Sequence, residues 1–269
     1  MLKKLVYAMV LSGLFLAPTA SMADTPPKIS VSGDPCTVPL AKKVGEAFSK
    51  KTGVEVVVAA GKCRSGVSEV LDGRADIGLA TFNFDKGTLD KSLKDVVVGK
   101  APIVMVVNKA NPVKNLSLDQ LKGILAGKIR NWREVGGKEM EIKNVLLAPC
   151  VVETMSYQAE HYGHDINRLK PEVPGNPVTG TNILVEKDEA AIGMQLYGHE
   201  TPDVKVLTID GYLPDEKAFP AKYAFYENYN VVTKGEPSGA VKAYIDFFLG
   251  EEGQRILASM KHIPHSRLE

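Results

Sequence analysis

The chain is poor in cysteine and has no surplus of charge of either sign. Its 269 residues include three cysteines, 33 basic side chains and 32 acidic side chains. It contains no Cys-x-x-Cys pair, and the spacing of its cysteines matches no local zinc or redox motif. The balanced charge gives no indication of a nucleic-acid partner. After the N-terminal residues, no apolar run is long enough to cross a membrane.

The N-terminal residues have the three parts of an export signal. Lys3 and Lys4 form a positively charged end, Leu5–Ala17 is apolar, and small residues precede Asp24. The apolar stretch is shorter than the roughly 18 residues that a membrane span needs, so a cleaved signal is favoured over an anchor. We therefore expect a signal peptide at residues 1–23, cleavage after Ala23 and a protein released into the periplasm.

Strand and helix patterns alternate along the remaining chain. We predict strands at 28–32, 54–60, 75–80, 96–108, 145–147, 190–194 and 223–233, and helices at 40–51, 65–71, 117–126, 153–162, 182–188 and 240–260, the last interrupted at Gly250. Ser117 and Gln120 have the spacing of a capping box. A loop is expected at 171–180. This alternation is typical of an α/β protein with a parallel sheet covered by helices.

Each cysteine lies on a short turn that leads into a predicted helix. The three turns are Asp34-Pro35-Cys36-Thr37, Lys62-Cys63-Arg64-Ser65-Gly66 and Ala148-Pro149-Cys150-Val151-Val152. Ligands of α/β proteins bind at the turns that follow the carboxyl ends of strands. We therefore expect Cys36, Cys63 and Cys150 to face a single ligand.

Three convergent thiols favour a thiophilic centre, whereas a fully oxidised oxyanion needs strong hydrogen-bond donors. Three sulfurs without a fourth protein ligand suit a trigonal-pyramidal As(III) centre. Two other interpretations stay open. One is a Cys36–Cys63 disulfide that leaves Cys150 free, and the other is three unrelated buried thiols.

Three residues beside the thiols complete the predicted site. Arg64 is placed to hold an anionic oxygen or to lower the pKa of a neighbouring thiol, and Ser65 begins the helix of the same turn. Thr37 is a candidate donor to a ligand hydroxyl. The alternatives are a solvated helix start for Arg64 and Ser65, and a helix cap for Thr37.

We expect a binding protein rather than an enzyme. No histidine lies on the three cysteine turns, so a Cys–His nucleophile or redox pair is not indicated. His161 and His164 are one helical turn apart, but no third metal ligand is evident. We therefore predict no cofactor and no metal ion other than the metalloid ligand.

Several segments of the chain resemble the phosphate-binding-protein-like family of periplasmic solute receptors. The segments that carry the resemblance are 71–78, 102–108, 111–113, 118–137, 244–249 and 253–254. The resemblance implies a two-lobed type II periplasmic binding protein fold, in which each lobe is a sheet flanked by helices and two crossing strands form the hinge. Lobe 1 is expected at 27–107 plus 224–269 and lobe 2 at 108–223, with the crossings near Asn108 and Tyr223.

The turns that hold phosphate in the family are altered in this chain. Family members offer hydroxyl and glycine-rich turns, and each corresponding turn here has gained a cysteine. The third turn has Val151 and Val152 where the family has small hydroxyl residues, glycine and an arginine. Because the family also resembles sensors of arsenic oxyanions, we expect arsenite as the ligand, bound by Cys36, Cys63 and Cys150.

A soluble receptor must be recognised by a membrane protein. Three As–S bonds exchange slowly, which suits a detector better than a carrier, so a membrane sensor histidine kinase is the expected partner of a monomeric receptor. The alternative is the phosphate- or arsenate-binding component of an ABC transporter, with a membrane permease as the partner.

Overall fold

The computed structural model describes residues 27–61, 65–81, 89–145, 177–214, 222–223 and 225–265. Within these ranges the strands are β1 (Lys28–Gly33), β2 (Glu55–Ala60), β3 (Ile77–Thr81), β4 (Leu93–Asn108), β5 (Asn115–Leu116), β6 (Lys143–Val145), β7 (Ala191–Leu196), β8 (Val204–Val206), β9 (Thr208–Ile209), β10 (Tyr226–Lys234) and β11 (Ile263–Pro264). The helices are α1 (Val38–Thr52), α2 (Ser65–Leu71), α3 (Leu118–Leu125), α4 (Pro177–Lys187), α5 (Gly239–Leu249) and α6 (Glu251–Ser259), with a 3-10 turn at Trp132–Val135. The predicted α/β class is confirmed.

The main sheet is mixed, whereas the sequence pattern predicted a parallel one. Its strand order is β2-β1-β3-β10-β4-β7-β6, and β8 and β11 also pair with β4. The strands β1, β2 and β3 are parallel, as their βαβ connections require. The later strand β10 runs antiparallel to both of its neighbours, β3 and β4. The expectation of a parallel sheet is therefore wrong outside the βαβ strands and the β6–β7 pair.

Strand β4 is shared by two parts of the sheet. Its first part pairs with β10 as far as Pro102, and Ile103 begins its pairing with β7. At this point the N–H of Ile103 donates to the Phe225 carbonyl, and the N–H of Tyr197 donates to the Pro102 carbonyl. One strand thus carries the chain between the two parts of the sheet, in keeping with the two-lobed fold. The lobe boundaries themselves stay a prediction.

Helix boundaries follow from local sequence signals. Ser117 and Gln120 form the predicted capping box at the start of α3, with both of its hydrogen bonds present. The loop predicted at 171–180 is wrong at its end, because α4 begins at Pro177. A proline costs nothing at the first helical position, where the backbone N–H has no partner within the helix. The helix predicted at 153–162 lies outside the described residues.

The apolar side of helix α1 packs against strand β2 of the sheet and against helix α5. Leu40 and Val44 are fully buried, and the ring of Phe48 meets that of Tyr244 edge to face, with 5.4 Å between the centroids. This packing fixes the turn between β1 and α1, since α1 begins only a few residues after β1 ends. In the described ranges, no helix has the length and apolar character needed to span a bilayer.

Candidate functional site

The carboxyl ends of β1, β2 and β3 lie side by side at one edge of the sheet. Gly33, the last residue of β1, is paired with Ala60 of β2 and Leu79 of β3. The N–H of Gly61 donates to the Gly33 carbonyl at 2.8 Å, which joins the first two strand ends. The turns after these strands therefore meet at the same edge, where α/β proteins bind their ligands.

Two glycines allow the strand ends to approach the hydroxyl groups of the following turns. A Cβ atom at Gly33 would lie 2.2 Å from Thr37 Oγ1, and one at Gly61 would lie 1.8 Å from Ser65 Oγ. Neither contact is possible for a residue with a side chain. The hydroxyls of Thr37 and Ser65 therefore lie directly against the backbone at the ends of β1 and β2.

Cys36 lies in the turn between β1 and α1, as its sequence pattern predicts. It is partly buried and has no disulfide partner among the described residues. Burial, followed by the nearby carboxylates of Asp34 and Glu227, raises the pKa of the Cys36 thiol well above its usual range. The sulfur is therefore a neutral thiol near pH 7 and lacks the thiolate character of a catalytic nucleophile.

The Asp34 carboxylate accepts hydrogen bonds from backbone N–H groups at the ends of two strands. Its Oδ1 atom accepts from the N–H of Cys36 at 3.1 Å and from the N–H of Thr37 at 3.0 Å. The N–H of Thr81, at the end of β3, donates to the same carboxylate. Only 4% of Asp34 is exposed. Burial raises the pKa of Asp34, and the hydrogen bonds oppose that change.

The hydroxyls of Thr37 and Ser65 differ in their partners. Thr37 is fully buried and donates to the Asp34 carbonyl at 3.0 Å. It occupies the N-cap position of α1, as the capping alternative expects, but its side chain makes no cap hydrogen bond. Ser65 begins α2, as predicted, and its buried hydroxyl has no hydrogen-bond partner among the described residues. The hydroxyl of Ser32, near the end of β1, is buried in the same unpartnered way. Two hydroxyl groups of this region thus have no partner within the described ranges.

The other predicted site residues lie outside the described ranges. These are Cys63, Arg64 and Cys150. Their convergence with Cys36 stays a prediction, and so does the alternative of a Cys36–Cys63 disulfide. His161 and His164 also fall outside. Among the residues that the structure describes, no three His, Cys, Asp or Glu side chains are grouped to hold a metal ion.

Asp34 and Glu227 were not predicted as site residues. Asp34 precedes a proline, a pattern typical of a turn in which the aspartate accepts backbone hydrogen bonds, and this signal could have identified it. Glu227 is 8% exposed and lies two residues before Tyr229 in β10, on the same face of the strand. Glu227 could have been identified as a charged residue inside an otherwise aromatic and β-branched strand. The pattern of the three cysteines indicated neither carboxylate as a site residue.

Comparisons with known proteins give relatives along most of the chain. Residues 18–146 match the PBP superfamily domain. The phosphate-binding protein PstS of Bacillus subtilis (strain 168) is 28% identical over 244 residues, which cover 88% of this chain and 80% of that protein.

Solved structures of phosphate-binding proteins also match most of the chain. A crystal structure from Clostridium perfringens, described as a phosphate ABC transporter substrate-binding protein with bound phosphate, has a TM-score of 0.76 and 28% identity, and the match covers 88% of this chain and 99% of that one. An ABC-type phosphate transport receptor from Vibrio cholerae shares the fold, with a TM-score of 0.68 and 21% identity over 87% of this chain and 99% of that one.

These relatives are named as phosphate-binding and substrate-binding proteins. Their fold is the two-lobed α/β arrangement that the sequence resemblance implied. The chain is therefore similar, along most of its length, to the phosphate-binding-protein-like family of periplasmic solute-binding proteins.

Proposed function

We propose that the chain is the solute-binding component of an ABC transporter and that it binds a tetrahedral oxyanion, phosphate or arsenate. The observation that carries this proposal is the match to 99% of a protein that contains bound phosphate. The ligand would lie at the turns after β1, β2 and β3, near the hydroxyls of Ser32 and Ser65, which have no hydrogen-bond partner in the part of the chain that the structure describes. A membrane permease is the favoured partner over a sensor kinase, because the relatives are named as phosphate-binding and transport proteins.

Arsenite is a second candidate ligand, and the position of Cys36 favours it. The thiol is neutral and lies on the turn after β1, beside two carboxylates that disfavour an anion. Arsenous acid is uncharged and condenses with a thiol: an As–O bond breaks, an As–S bond forms, and the thiol proton leaves with the hydroxyl as water. Cys63 and Cys150 would supply the other two sulfurs.

Calorimetry with reduced protein separates the two candidates. Phosphate, arsenate, arsenite and antimonite are titrated into the wild type, Cys36→Ser and Ser259→Ala, an exposed control. Phosphate binding at one per chain that survives Cys36→Ser would support the first candidate. Arsenite binding that is lost in Cys36→Ser and kept in Ser259→Ala would support the second. If none of the four ligands binds the wild type, the proposed function is wrong.

We also propose that the mature protein is periplasmic and begins after Ala23. The support is the charged, apolar and small-residue pattern of the first residues. The mass of the protein recovered from a periplasmic extract tests this directly. A mass that includes residues 1–23 would contradict cleavage at this site.

Ligand binding is proposed to close two lobes, one at 27–107 plus 224–269 and the other at 108–223. The change of partner along β4 supports a hinge between the two parts of the sheet. Small-angle scattering should then show a smaller radius of gyration at ligand saturation, for a particle with the mass of a monomer. A radius that stays the same or rises would contradict closure.

A further inference from the structure

The backbone donors at the candidate site already have an anionic partner. Three N–H groups, those of Cys36, Thr37 and Thr81, donate to the carboxylate of Asp34. They come from the turn after β1 and from the end of β3, so two strand ends contribute. Backbone N–H groups that converge in this way are the donors that proteins use to bind phosphate and other oxyanions. In this structure the three donors are hydrogen-bonded to the Asp34 carboxylate.

The charges around these donors also oppose the binding of an anion. Asp34 and Glu227 are both at least nine-tenths buried and both act on the Cys36 thiol. A ligand with two negative charges would enter this environment against the repulsion of both carboxylates. A ligand hydroxyl, in contrast, can donate a hydrogen bond to a carboxylate. An uncharged acid meets no such repulsion.

We propose that Asp34 is a specificity-determining residue, which competes with an incoming oxyanion for the backbone donors at the strand ends and so disfavours doubly charged ligands. This inference rests on the proposed ligand site at these turns. It assigns the ligand to the class of oxyacids that keep their protons, namely singly charged phosphate or arsenate and uncharged arsenous acid.

A purely structural role for Asp34 gives a different expectation. An aspartate that only builds the turn can be replaced by asparagine, whose carbonyl oxygen can accept the N–H groups of Cys36 and Thr37 that Oδ1 of Asp34 accepts. The Asp34→Asn variant keeps the turn and removes the charge. If Asp34 were only structural, this variant would bind every ligand as the wild type does.

The test is a calorimetric titration of phosphate, arsenate and arsenite at pH 5.5 and pH 8.5. Phosphate and arsenate change from mostly singly to mostly doubly charged between these values, whereas arsenous acid stays mostly uncharged. We expect the wild type to bind phosphate or arsenate at least about tenfold more weakly at pH 8.5 than at pH 5.5. In Asp34→Asn this difference should shrink, with binding at pH 8.5 about tenfold tighter than in the wild type.

Asp76→Asn is the matched control. Asp76 also accepts a backbone N–H, from Ser30 at 2.8 Å, but it lies just before β3, at the end of that strand away from Thr81 and the candidate site. This variant should keep the wild-type affinities at both pH values. Arsenite affinity should be nearly independent of pH in the wild type.

Two results overturn the inference. One is wild-type binding of phosphate or arsenate that is as tight at pH 8.5 as at pH 5.5, a comparison that needs no variant to fold. The other is an Asp34→Asn variant that binds these ligands no better than the wild type at pH 8.5. If no ligand binds the wild type at either pH, the proposed function has failed, and the inference fails with it.

Discussion

The hydroxyl of Tyr229 donates a hydrogen bond to the main-chain carbonyl of Cys36, with 3.3 Å between the two oxygen atoms. This bond joins β10, inside the sheet, to the turn that carries the candidate site. Tyr229 is fully buried, so a carbonyl that loses this donor is not readily satisfied by water. The position of Cys36 therefore depends on the centre of the sheet as well as on its own turn.

Tyr229→Phe should lower the free energy of unfolding by about 1 kcal/mol, because it removes this hydrogen bond and leaves a buried acceptor without its donor. Urea denaturation followed by circular dichroism measures the change. Tyr244→Phe is the matched control: its hydroxyl is buried and has no hydrogen-bond partner among the described residues. Removing that hydroxyl should leave stability unchanged or raise it by up to about 1 kcal/mol. Equal losses in both variants would contradict the assigned role of the Tyr229 hydroxyl.

Local signals in the sequence predicted the parts of the fold that depend on neighbouring residues. The capping box of Ser117 and the break at Gly250 are examples, since both are determined within one helical turn. The direction of β10 is different. It runs antiparallel between β3 and β4 because the chain returns to the first strands only after building the second part of the sheet. No local pattern encodes that return.

The sequence predicted where the candidate site lies, but it did not predict all of the residues that form it. The turns after β1 and β2 were identified from their cysteines and from the strands before them. The role of Asp34 depends on the end of β3, whose Thr81 N–H reaches it from 47 positions along the sequence. The proximity of Glu227 to Cys36 likewise arises only once β10 lies beside β3. Contacts of this kind require the tertiary fold.

Ser117→Ala should destabilise the protein by about 1 kcal/mol, because the Ser117 side chain accepts the backbone N–H of Gln120 at the start of α3. Ser238→Ala is a suitable control, since Ser238 also precedes a helix but makes no side-chain cap hydrogen bond. Its effect should be within about 0.5 kcal/mol of zero. Urea denaturation of both variants gives the comparison. A larger loss at Ser238 than at Ser117 would contradict the capping interpretation.

Trp132 is the single tryptophan of the chain, and its buried indole joins two distant segments. Its Nε1–H donates to the Ala190 carbonyl, just before β7, at 2.9 Å. The folded protein should therefore emit at short wavelength and resist quenching by iodide. Trp132→Phe should cost about 2 kcal/mol or more, through the lost hydrogen bond and the space left by the smaller ring. Strong iodide quenching of the folded protein would contradict this burial.

His262 is buried and without hydrogen-bond partners for its ring among the described residues. It is 2% exposed, and neither ring nitrogen is bonded. The ring of His199 lies 6.1 Å away and that of Tyr229 lies 5.0 Å away, measured between centroids. Burial, and then the proximity of His199, lowers the pKa of His262 to about 3. Burial also lowers the pKa of His199.

Stability should consequently decrease as the solution becomes acidic. In the unfolded chain His262 takes up a proton near its ordinary pKa of 6.5, whereas in the folded protein it stays neutral down to about pH 3. Between these values the unfolded state binds more protons, so the free energy of unfolding falls as the pH falls from about 6.5 toward 3. His262 alone should make the protein about 2 kcal/mol less stable at pH 5 than at pH 7.

Urea denaturation of the wild type and of His262→Gln at pH 7, 6 and 5 isolates this contribution. Glutamine does not titrate, so the difference in stability between the two proteins should shift by about 2 kcal/mol in favour of the variant between pH 7 and pH 5. Other groups, including His199 and the carboxylates, titrate in both proteins and largely cancel in that difference. If the difference in the free energy of unfolding stays constant with pH, His262 takes up its proton equally well in the folded and unfolded protein. That result would contradict the burial of His262 without a hydrogen-bond partner.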